Sequence, residues 1–117
     1  MRKTYWFVSR HEPTIDQHRL VQGNLVKIAD INAFDKSAVN ELVRKASENN
    51  IDGLIVVNPA IALNIAAVAF EREEFTTIGV FENANRAPEG QKPTFEALAL
   101  HWWSVEYGDD GWFLSAW

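Results

Sequence analysis

Apolar and polar positions change period several times along the chain, and each change marks an element. Tyr5-Trp6-Phe7-Val8 is an unbroken aromatic and β-branched run. That pattern belongs to a strand covered on both faces, because a strand with one wet face alternates. The run stops at Ser9-Arg10-His11, which bring a hydroxyl, a guanidinium and an imidazole to the strand's carboxyl end. Glu12-Pro13-Thr14 makes a turn, with Pro13 suited to the first turn of a short helix reaching about Leu20 and closed by Gly23. Leu25 to Ile31 alternates imperfectly and reads as a second strand with one less protected face.

From Asp35 the period changes to that of a helix. Asp35 is the expected N-cap, Ala38, Val39, Leu42, Val43 and Ala46 fall on one face, and Glu41, Arg44, Lys45 and Glu48 fall on the other. Asn49-Asn50 can adopt the left-handed conformation that ends such a helix. Leu54 to Val57 is then a buried strand, and Asn58-Pro59 opens a second long helix with Asn58 as cap and Pro59 at the first helical position. From Ile61 to Phe70 that helix is apolar nearly all round except at Asn64, which predicts cover on more than one side, by the sheet and by a further element or chain. Glu71 to Glu74 is its solvated end.

Thr76 to Phe81 predicts another strand, followed by a polar loop from Glu82 to Lys92, and loops of that length in small domains tend to carry function. Pro93-Thr94 predicts the start of a third long helix with Phe95, Leu98, Ala99 and Trp102 on one face. Ser104 to Tyr107, the turn Gly108-Asp109-Asp110-Gly111 and Trp112 to Trp117 read as a C-terminal β-hairpin. Strand, helix and buried strand in alternation point to a mainly parallel sheet in an α/β, Rossmann-like three-layer domain.

Composition narrows the reading. A chain of 117 residues, 47% hydrophobic, fits one domain over residues 1–117. A net charge of -5 argues against coating long nucleic acid but leaves room for a small anion held by a few basic groups. The chain has no cysteine, so disulfides, thiolate ligands and a cysteine nucleophile are excluded. No signal peptide or apolar run of bilayer length is evident, which predicts a soluble cytoplasmic protein with no membrane partner.

If the first, third and fourth strands are parallel neighbours, their carboxyl ends gather Ser9-Arg10-His11, Asn58 with its helix N-terminus, and the Glu82 to Lys92 loop on one rim. Those groups suit phosphate. His11, His18 and His101 lack metal-ligand spacing, so no metal or other cofactor is expected, and no glycine-rich nucleotide loop or nucleophile elbow exists. The aromatic tail with Tyr107, Trp112, Phe113 and Trp117 reads as core or subunit interface, with base stacking as the other use.

Trp6-Phe7-Val8-Ser9-Arg10-His11 resembles the opening motif of a small CRISPR-associated, Csx-type family of ring nucleases. More loosely, Pro59 with Asn64-Ile65-Ala66-Ala67 resembles that family's segment at the start of the next helix, and Pro88-Glu89-Gly90-Gln91 resembles its loop before the last helix. Val57-Asn58 stands where the family has Gly-Thr, Glu89-Gly90 stands where it has Arg-Gly, and the Trp-rich tail has no counterpart.

The resemblance implies a CARF-like domain whose partners are a cyclic oligoadenylate and a second copy of the chain in a homodimer, with no long nucleic acid. It implies metal-free cleavage of cyclic tetra-adenylate, with Ser9, Arg10 and His11 catalytic and Asn58, Pro59, Asn83, Asn85, Arg86 and Lys92 binding the ligand. The alternatives are a protein that sequesters a cyclic nucleotide uncut and one that docks a partner through the aromatic tail.

Overall fold

The computed structural model describes residues 2–32, 35–73, 76–86 and 94–116. Its order is β1 (Thr4–Val8), α1 (Ile15–Leu20), β2 (Asn24–Ile28), α2 (Lys36–Glu48), β3 (Gly53–Val56), α3 (Pro59–Arg72), β4 (Thr76–Arg86), β5 (Thr94–Gly108) and β6 (Gly111–Ala116). These build an α/β fold on one six-stranded sheet ordered β2-β1-β3-β4-β5-β6. The first four strands across it are parallel, and β5 and β6 are antiparallel to their neighbours. Among the described residues, no helix is long and apolar enough to cross a membrane.

The local chemistry of the helices is largely as the sequence predicts. Asp35 caps α2 by accepting the Ala38 N–H at 3.1 Å, and the helix buries Val39, Leu42, Val43 and Ala46. On the wet face Arg44 pairs with Glu41 and with Glu48. Asn50 takes the left-handed conformation after the helix, at φ 54°. The first helix starts later than expected: Thr14 is its N-cap in a capping box with Gln17, and Pro13 precedes the cap.

The two sheet faces carry separate cores. On one, α2 and α3 cover Val8, Leu54, Val56, Ile78, Val80 and Val105. On the other, Tyr5, Phe7, Ile55 and Phe81 pack with Val21 and with Leu20 of α1. Two glycines shape this second face. Tyr5 lies over Gly53 and Trp102 over Gly79, so the two rings meet across the intervening strands with centroids 5.1 Å apart. A Cβ at Gly53 would lie 2.9 Å from the Thr77 carbonyl oxygen and 3.1 Å from Tyr5 Cδ1, and one at Gly79 would lie 3.1 Å from Trp102 Cζ3.

The C-terminal third departs from expectation. The predicted helix from Pro93-Thr94 is the strand β5, and the predicted loop after Phe81 is strand as far as Arg86, with residues 87–93 outside the described segments. Each segment supplies the other's hydrogen-bonding partner. The ladder runs from Thr76↔Val105 to Arg86↔Thr94 with a register shift between Glu82 and Asn83. β6 then pairs with β5 from Gly108↔Gly111 to Trp103↔Ala116.

Burial pushes the Tyr5 phenol above its ordinary pKa of 10.0, and the charge of Asp52 adds to the effect. A phenol harder to ionise in the fold than in the open chain contributes fully below the unfolded pKa, and that contribution is lost as pH rises through the folded one. Urea midpoints are therefore expected to fall above about pH 10, and to fall less steeply in Tyr5→Phe; parallel curves for the two proteins would refute this.

Candidate functional site at the carboxyl edge

The chain leaves β1 on one side to form β2 and returns on the other side to form β3 and β4. The order therefore reverses between β1 and β3. At such a point the connections leaving two neighbouring strands diverge, and a crevice opens at their carboxyl ends. Phe7 lies beside Ile55, so Ser9-Arg10-His11 and Asn58-Pro59 leave the sheet side by side.

Ser9 is half-buried and its Oγ accepts the His11 N–H at 3.0 Å, a tight turn that fixes the segment as it leaves the strand. The Ser9 N–H reaches the Ile28 carbonyl at 3.5 Å. Arg10 projects into solvent, its side chain 78% exposed, with Nε 3.7 Å from Asp30 Oδ2 beyond the end of β2. His11 is exposed.

Across the crevice, Asn58 Oδ1 accepts the Ala60 N–H at 2.9 Å, and the Asn58 carbonyl accepts the Ile61 N–H at 3.1 Å. The first N–H groups of α3 are thus already bonded. What this end offers an anion is the helix dipole and the Asn58 amide nitrogen, rather than a nest of open donors. Pro59 is exposed beside them.

The remaining expected ligand contacts lie farther along the sheet. β4 meets β3 from Leu54↔Ile78 to Val56↔Val80 and then continues alone with β5, so Asn83, Asn85 and Arg86 sit on a ribbon that extends past the carboxyl edge of the parallel strands. Lys92 lies outside the described residues. The rim therefore unites Ser9, Arg10 and His11 with Asn58 and Pro59, while the backbone of Asn83 to Arg86 belongs to the projecting ribbon.

One pair at this edge has no precursor in the sequence reading. His101 of β5 lies opposite Val80, and its Nε2 is 2.9 Å from Oε2 of Glu82, on the neighbouring strand. A cavity of about 350 Å³ is lined by Pro59, Val80, Glu82, His101 and Trp103, among others, so the start of α3 and this pair share one space. A cavity of about 450 Å³ lies near Lys3, Tyr5, Asp52 and Thr77, toward the amino ends of the parallel strands, away from the crevice.

No protein-family model, curated protein or solved structure matches the chain.

Proposed function

We propose that the chain is a metal-independent ring nuclease that binds and degrades cyclic oligoadenylates, cyclic tetra-adenylate first among them, and so switches off type III CRISPR antiviral signalling. The observation that carries this reading is the meeting of Ser9-Arg10-His11 with the Asn58-capped start of α3 where the strand order reverses. A Rossmann-like, CARF-like three-layer domain with β5 and β6 as its C-terminal hairpin belongs to the same proposal.

The chemistry asks little of the protein beyond placement and charge. The ribose 2′-hydroxyl attacks its own phosphodiester in line with the leaving 5′-oxygen and forms a 2′,3′-cyclic phosphate. Arg10 pairs with the phosphate and offsets the charge that builds in the phosphorane. The positive end of α3 faces the same charge, and Asn58 and Pro59 shape the wall of the crevice. Ser9 holds the turn that orients the segment, and His11 gives the leaving oxygen its proton. Arg86 and Lys92, with Asn83 and Asn85, are assigned to the outer phosphates and bases of the ring.

A ring with internal symmetry suits a two-fold dimer in which each copy lends one rim. The exposed positions Ala60, Leu63 and Ala67 of α3 form an apolar stripe for such a contact, Leu63 being 55% exposed. The test is incubation with cyclic tetra-adenylate and cyclic hexa-adenylate in EDTA, with products separated by chromatography. Linear products ending in a 2′,3′-cyclic phosphate are expected. Binding without product would make the protein a sequestering module, and neither binding nor product would end the proposal.

A further inference from the structure

Glu82 and His101 are 19 positions apart, yet the β4–β5 register brings their side chains into a 2.9 Å contact at the mouth of the cavity that Pro59 also lines. We infer that this pair is the proton acceptor of the site: His101 the catalytic base that takes the 2′-hydroxyl proton, and Glu82 the positioning residue that holds its imidazole. The inference rests on the ring-nuclease reading and adds to it the group that activates the nucleophile.

The geometry gives each member a role. With Nε2 bonded to the carboxylate, the neutral ring carries its proton there and presents the Nδ1 lone pair as the base. A carboxylate that fixes the tautomer and orientation of an imidazole is the arrangement by which hydroxyl groups are commonly activated. Both side chains are 57% exposed, so a ligand reaches them without rearrangement of the core.

Val8, Val56, Val80 and His101 stand in successive strands β1, β3, β4 and β5. Three inter-strand steps put His101 about 14 Å from the end of β1. The start of α3, which follows the intervening β3, lies between them. A phosphodiester bound there would have His11, just past the end of β1, on one side and His101 on the other, with Arg10 swinging in from Asp30 on the β2 side to meet it.

The step balances as follows. Nδ1 of His101 takes the 2′-hydroxyl proton as the 2′-oxygen bonds to phosphorus. The bond from phosphorus to the 5′-oxygen breaks, and His11 in its protonated form gives that oxygen a proton. Water then returns both imidazoles to their starting forms. Among the described side chains, Glu82 faces His101 from β4 and the first turn of α3 has no acidic residue, while the β6 sequence (Gly111–Ala116) contains no ionisable residue.

The experiment compares native protein, His101→Ala, Glu82→Gln and His11→Ala on cyclic tetra-adenylate, with binding, kcat and KM measured from acid to alkaline pH. His101→Ala is expected to bind like the native protein, to lose about 10² to 10⁴-fold in kcat and to lose the limb of the profile that rises with pH. His11→Ala is expected to keep that limb and lose the falling one. Glu82→Gln is expected to lower kcat with KM unchanged, a split that a purely structural role would not give. Cleavage by His101→Ala at the native rate, or with its rising limb intact, overturns the inference and leaves the ring-nuclease reading standing. A native protein that binds without cleaving, or does neither, overturns both.

Discussion

A Phe7→Ala variant is expected to lose about 3–5 kcal/mol of stability, the largest effect foreseen for a single substitution in this chain. Phe7 is 1% exposed in β1, the strand that carries both β2 and β3. Its ring meets that of Phe81 edge to face, with centroids 5.8 Å apart and planes at 86°. Among the described residues the short helix α1 covers this core, in contrast to the two long helices on the opposite face. Phe7's neighbours Val21, Ile55 and Phe81 are themselves at most 3% exposed, so the gap left by the ring closes only in part and the cavity term adds to the lost transfer free energy. Domains of this size are held by about 5–15 kcal/mol, so the variant should approach the limit of folding. Urea denaturation checks this: the midpoint should fall steeply while the slope is kept. Val26→Ala on β2, where the side chain is 47% exposed, should move the midpoint by less than about 0.5 kcal/mol. Equal losses in the two variants would refute the assignment of the core.

How far the fold was legible follows from how local each signal is. Asp35 and Asn58 announce α2 and α3 because a cap acts within one turn, and both do cap their helices. The run Tyr5 to Val8 reads as a covered strand because it lies inside the sheet with cores on both faces. The residues from Phe95 to Trp102 deceive. Glu96-Ala97-Leu98-Ala99-Leu100 are good helix formers, and Phe95, Leu98, Ala99 and Trp102 fit helical spacing. Pairing with β4 overrides that preference, and the true period is two: Trp103 and Val105 pack on the α2 and α3 face, Leu100 and Trp102 on the other. The same error concealed part of the site. Ser9-Arg10-His11 was visible because it directly follows a buried strand, whereas Glu82 and His101 meet only through the β4–β5 register, which no short window of sequence contains.

An Arg10→Ala variant is expected to fold like the native protein and to bind cyclic tetra-adenylate about 10- to 100-fold more weakly, the size of a lost charge-assisted hydrogen bond. The two halves of that expectation come from one observation. Arg10 is 78% exposed and its Nε stands 3.7 Å from Asp30, an exposed pair of the kind that contributes about 0–1 kcal/mol to stability. The fold thus gains little from this guanidinium, and a phosphate can engage it in place of Asp30. Asp30 competes for the same group, so Asp30→Asn should tighten binding, and the change should shrink as salt screens the competing charge. Arg10→Lys should recover only part of the loss, because an ammonium keeps the charge but not the two-pronged geometry. Calorimetric titration of the three variants beside a thermal melt of each separates these effects. If Arg10→Ala binds as tightly as the native protein, the phosphate does not sit at the end of β1, and the crevice between β1 and β3 loses its principal wall.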